Sequence, residues 1–176
     1  MLHDTVLLEA ALAPLVGRPL WKSHRAADML VFHFGDHRTQ TTRTGQEVEV
    51  GELALHVQCA WRIRGAEGIV VASGDRFVRA TTALDGDDWE WSAPGANRCD
   101  ERLRAWLAQP HAVTRVTADA LGGFALSFAD GFELEVFPDD SDSERWRILR
   151  PGDPSSHVVV CGNEIEDATA PPGAAS

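Results

Sequence analysis

Residues 53–63, LALHVQCAWRI, carry an apolar side chain at every second position: Leu53, Leu55, Val57, Cys59, Trp61 and Ile63. Ala54, His56, Gln58, Ala60 and Arg62 fill the positions between. A strand turns successive side chains to opposite faces, whereas a helix would scatter this set around its circumference. The stretch reads as a single strand with Cys59 and Trp61 inside and His56, Gln58 and Arg62 on the other face. The same period recurs at Leu30, Phe32 and Phe34, at Phe124, Leu126 and Phe128, and at Phe132, Leu134 and Val136. The last two runs flank Asp130-Gly131, a strong short-range hairpin signal. A chain patterned this way must build sheet.

Two segments have helical spacing instead. Asp4 or Thr5 can cap a first helix with Leu8, Leu12, Leu15 and Val16 on one side, bent by Pro14 and ended by Gly17 and Pro19. Asn97 and Asp100 open a second, with Cys99, Leu103, Trp106 and Leu107 inward and Pro110 as its stop. Further strands are expected at 19–22, 68–73 (buried), 75–80, 112–118, 146–149 and 157–161. Residues 36–46 read as a loop or hairpin extension, and 83–98 as an irregular connection. The expectation is an α+β fold, two helices on a largely antiparallel β-sheet, in a single domain over 1–162 with a flexible tail at 163–176. The halves also echo each other as helix, strand, strand and Trp-Arg-Ile, at 61–63 and 146–148. That echo predicts two pseudo-symmetric repeats, 6–63 and 101–148, around one core. The identities are few, and a chance match is the alternative.

A chain of 176 residues can bury a sizeable core. Its formal charge of −11 argues against general binding to nucleic acid or an anionic membrane and fits a basic protein partner. Cys59, Cys99 and Cys161 are odd in number and far apart, as expected of reduced thiols in a cytoplasmic protein. The N-terminus is acidic rather than basic, so no secretory leader is expected, and no run approaches the ~20 apolar residues of a membrane span. Catalytic and metal patterns are weak. His33 and His37 straddle a strand end, and nothing in the spacing makes them converge with His56 or Asp36, so no metal and no cofactor are expected. Residues 71–75 lack the GxSxG elbow, and the acidic run 139–144 lacks an EF-hand pattern. Glu133 and Glu135 share a strand face and read as solvated.

Two sets of residues remain as binding candidates. Asp85, Asp87, Asp88 and Glu90 surround Trp89 and Trp91, a composition suited to a basic or aromatic surface. The competing reading folds those indoles back as a lid over the core. The second set is a pocket between the repeats lined by His33, His56, Gln58 and Arg62.

The patterns L-H-V-x-C-x-W-R-I at Leu55–Ile63 and F-x-D-G-x-x-L-x-V-F-P at Phe128–Pro138 resemble those of small, uncharacterised bacterial proteins. Some of these are regarded as immunity proteins for polymorphic toxins. The likeness spans roughly residues 15–162, leaving 83–98 unmatched, and its motifs are structural, so it brings no catalytic residue. It implies a non-enzymatic cytoplasmic module. The leading expectation is therefore a protein-binding module, an immunity-type inhibitor of a basic partner. The alternative is a small-molecule-binding protein or enzyme using the pocket between the repeats.

Overall fold

The structure is a computed structural model and describes residues 2–82 and 88–167. Asp4 accepts the Val6 N–H and so caps α1 (Thr5–Leu12). Pro14 tightens the helix end into a 3-10 turn at Ala13–Leu15, after which Gly17 reverses the chain at φ 82°. Leu8, Leu12 and Leu15 are fully buried, while Val16, expected beside them, is exposed. Nearly everything after this is strand: β1 (Pro19–Ala26), β2 (Met29–Thr41), β3 (Glu47–Val57), β4 (Ala60–Gly65) and β5 (Gly68–Ala72). Next comes α2 (Arg98–Trp106), where the Asn97 side chain accepts the Asp100 N–H as the sequence predicts. Six strands complete the fold: β6 (His111–Ala118), β7 (Phe124–Phe128), β8 (Glu133–Phe137), β9 (Glu144–Leu149), β10 (His157–Cys161) and β11 (Glu164–Asp167). The class is α+β, mostly antiparallel sheet with two short helices.

The strands hydrogen-bond in the order β11-β10-β9-β3-β2-β1-β6-β7-β8-β4-β5. Those from β11 to β1 form one lobe and those from β6 to β5 the other. The lobes join at a short seam, Pro19 opposite Ala112 and Leu20 opposite His111. Away from the seam they fold face to face. Trp61 of β4 meets Phe32 of β2 edge-on at 5.7 Å, and Trp146 of β9 meets Phe124 of β7 at 5.1 Å. The core lies between these faces and is closed by Leu8 and Leu12 of α1 and Leu103 of α2. Each lobe borrows a hairpin: β4–β5 borders β8, and β9–β10 borders β3.

Several expectations need correction. Residues 53–63 are not one strand: β3 ends at Val57, and β4 starts at Ala60 in the other lobe. The alternating residues are nonetheless all buried, because the chain crosses between lobes while keeping the same side toward the shared core. Gly68–Ala72 is an edge strand, with Val71 buried and Ile69 exposed. Residues 75–80 form no strand; Asp75 instead accepts the Ala72 N–H and holds a 3-10 turn at Ser73–Phe77. Residues 36–46 take the second of their two expected forms, a hairpin extension, with β2 running on to Thr41. The tail does not begin at 163, since β11 pairs with β10. Residues 168–176 lie outside the described residues. No helix among the described residues is long and apolar enough to cross a membrane.

Candidate functional site: a cleft between β1 and α2

β1 and β6 run together only at the seam. Pro110 precedes β6 and has no N–H to extend the ladder, so Lys22–Ala26 of β1 continue without β6 as a neighbour. The space beside them is a cleft of about 530 Å³, within the range of small-ligand sites. Its β1 wall includes Trp21, Ser23, His24 and Arg25, its floor Leu30, and its α2 wall Leu103, Arg104 and Leu107.

The turn at Ala27-Asp28 sets which backbone groups face this space. Ala26 and Met29 close a two-residue hairpin, with Ala27 at φ 58°. Closing pairs of such hairpins are hydrogen-bonded, and hydrogen-bonded pairs alternate with non-bonded ones along an antiparallel ladder. Ala26, His24 and Lys22 therefore direct their amides toward β2, while Arg25 and Ser23 direct theirs away from it, into the cleft. Side chains alternate as well. Arg25 and Ser23 lie opposite Leu30 and Phe32 on the core side, and His24 and Lys22 lie opposite Val31 and His33 on the outer side.

One end of the cleft is strutted. The Arg25 guanidinium binds Asp100 through Nε at 2.7 Å and Nη2 at 2.9 Å, and its side chain is only 9 % exposed. Asp100 also accepts the Gly95 N–H at 2.8 Å. Burial works against this carboxylate, but the bonds from Arg25 and Gly95 outweigh it and hold its pKa below the usual range. Arg104 is different. It is exposed on α2, 3.2 Å from where a Cβ on Gly95 would stand, and makes no hydrogen bond or ion pair among the described residues.

On the outer side lies a chain of imidazoles. The Gly51 N–H donates to His33 Nδ1 at 3.1 Å, so the His33 proton sits on Nε2 and points to His24 Nδ1 at 3.0 Å. Burial, followed by the charges of His24, Lys22 and His56, pushes the His33 pKa down to about 3. Burial and Arg147 push His56 down to about 4. Both histidines are held neutral, and the bonds of His33 lock it in one tautomer. Beside them Trp21 bulges from the ladder, stacks on His37 at 3.6 Å and donates Nε1–H to the Gly35 carbonyl.

The structure brings together only part of each sequence candidate. His33 and His56 share the outer face of the β1–β2–β3 lobe. Arg62 does not join them: it lies on β4 in the other lobe and pairs with Glu135. Gln58 is exposed at the crossover and donates its N–H to the Arg145 carbonyl. The proposed four-residue pocket is not assembled, because the chain changes lobes between His56 and Arg62. Of the acidic segment, Asp85 and Asp87 lie outside the described residues, and Asp88 and Glu90 are exposed. Trp89 and Trp91 fold back and are half-buried. Trp89 donates to the Ala96 carbonyl at 2.8 Å under Arg79, and Trp91 lies between Phe77 and Arg25. The acids at 139–144 are engaged within the fold. Asp139 accepts the Ala60 N–H, Asp140 the N–H groups of Asp142 and Ser143, and Glu144 pairs with Arg147.

The cleft residues Ser23, Arg25 and Arg104 escape sequence reasoning. Arg25 and Asp100 are 75 positions apart; Asp100 is legible only as part of the α2 cap, and Arg25 stands in no motif. The signal that could have exposed the edge is the β1–β2 turn, but Ala27-Asp28 has none of the usual hairpin-turn residues. No protein-family model matches the chain, and neither a curated protein nor a solved structure is detectably similar to it.

Proposed function

We propose that this is a non-catalytic binding module whose site is the cleft between β1 and α2. The observation that carries the reading is the edge of β1, which has no strand neighbour beyond Leu20 among the described residues and faces a wall of Leu103, Leu107 and Arg104. Among the described residues beside the cleft no nucleophile or general base stands out: His24 and His33 are low in pKa and bonded to each other, and Cys59 and Cys99 are pushed up to about 12 by burial. A second reading keeps the immunity-type inhibitor of a basic partner, because Asp88 and Glu90 are exposed beside half-buried Trp89 and Trp91. The test is affinity capture of partners. Leu107→Trp should fill the cleft and abolish retention, while the pair Asp88→Asn and Glu90→Gln should leave it unchanged. The reverse result moves the function to the acidic segment.

We also infer that the fold descends from a duplication. Exchanging β1–β5 with β6–β10 reverses the sheet order and leaves it otherwise unchanged, β11 apart. The register supports the same reading. Val57 faces Trp146 and Leu55 faces Ile148, while Val136 faces Trp61 and Leu134 faces Ile63. If the halves are equivalent, Trp61→Ala and Trp146→Ala should each lose about 3–5 kcal/mol in urea denaturation. Only one large loss would count against the duplication.

A further inference from the structure

We propose that the cleft takes an extended acidic peptide, which adds to β1 as a new strand. This rests on the cleft being the binding site and goes further by naming its occupant. Ser23 and Arg25 are two residues apart and turn both their N–H and C=O groups into the cleft, a spacing of roughly 7 Å that repeats along any extended chain. A compact small molecule has no need of that repeat; a strand matches it group for group.

The side-chain pattern follows from the alternation of β1. An added strand places one set of side chains toward Leu30, Leu103 and Leu107, which are apolar. Its other set falls on the side of Lys22 and His24, with Arg104 at the α2 wall. Of these, Lys22 and Arg104 carry the positive charge in a chain of net charge −11; burial and the neighbouring Lys22 hold His24 toward its neutral form, and Arg25, the remaining cation, is already neutralised by Asp100. The peptide so recognised alternates apolar residues with glutamate or aspartate. Repulsion from the acidic body disfavours entry elsewhere on the surface, and Arg104 supplies the local exception.

The experiment uses the full chain and a fluorescein-labelled pool of hexapeptides in which Glu alternates with Val, Ile, Leu or Phe, followed by fluorescence anisotropy. Binding should be saturable. N-methylating the amides of one peptide edge should weaken it at least tenfold, while N-methylating the other edge should change it less than twofold. Replacing Glu with Lys should abolish binding, and Arg104→Gln should weaken it several-fold with an unchanged melting temperature. If both N-methylated series bind alike and glutarate competes, the cleft is a small-anion site and strand addition is wrong. If neither the pool nor glutarate binds, or Leu107→Trp leaves pool binding intact, the peptide proposal fails. In the second case the cleft reading fails with it. A pool that only drives the protein to dimerise in sedimentation velocity also overturns the proposal, in favour of pairing between two copies.

Discussion

The two helices solve one problem in opposite ways. β1 and β6 pair for two residues and then part, and each leaves an edge that needs a neighbour. α1 packs along β6, and its Glu9 carboxylate accepts the Ala118 N–H at 3.0 Å. α2 packs instead on β5 and the 3-10 turn, so only the Arg25–Asp100 pair and the edges of Leu103 and Leu107 reach toward β1. One edge is sealed and the other is held open. A sealed edge stabilises the fold; an open one keeps polar groups available to a partner.

The largest test of this contrast is helix truncation. Leu12 is fully buried on the sealed side, and Leu12→Ala should cost about 2–5 kcal/mol in urea denaturation. Leu107, half-buried at the cleft, should lose less than about 1 kcal/mol as Leu107→Ala. Similar losses would mean that α2 seals its edge as tightly as α1 does.

Acid should act next, through the imidazoles on the outer side of β1 and β2. His33 and His56 have folded pKa values below the ordinary 6.5, so the unfolded chain takes up protons first as the pH falls. Their contribution is complete above pH 6.5 and declines toward pH 3–4. Stability should drop by roughly 5 kcal/mol between pH 6.5 and 4 if both shifts act in full, and His33→Gln should flatten that slope even if it lowers stability throughout. Heteronuclear NMR at pH 5 should still find His33 neutral with its proton on Nε2.

The strut comes third. Arg25→Ala leaves Asp100 with fewer partners and should cost about 1–3 kcal/mol by thermal denaturation. Because Asp100 is held below its ordinary pKa, its share of stability is present above about pH 4 and is lost as the pH falls further. Arg25→Ala should therefore weaken the protein at pH 7 more than at pH 3. The smallest effect is at Arg104, which is exposed and touches the fold through its charge near Asp100: Arg104→Gln should change stability by less than about 0.5 kcal/mol.

The same contrast explains what could be read in advance. Most strand positions, the two helix caps and the buried set Leu53–Ile63 follow from local periodicity and are found; the strand expected at 75–80 is a 3-10 turn instead, and β11 stands where a tail was expected. The lobe change at Gln58-Cys59 leaves no local mark, because the core lies on the same side of both strands. His33 and His56 were legible as neighbours across a ladder. The cleft was not, since it exists through an absence: α2 stands away from β1, and the reason lies in its packing on the 3-10 turn and on Val70, whose carbonyl accepts from Arg102 across 32 positions.

The exchange of hairpins between lobes also has a consequence for synthesis. β3 is finished at Val57, yet the neighbour that covers its outer edge, β9, begins at Glu144. At about 5–20 residues per second, a ribosome takes roughly 4–18 s to deliver it. For that interval the nascent chain carries β2–β3 with Leu55 and Val57 complete on one side and bare on the other. β4–β5 waits in the same way, though for a shorter stretch, until β8 begins at Glu133, so neither half can close by itself. The shared core can close only once both β8 and β9 have been made.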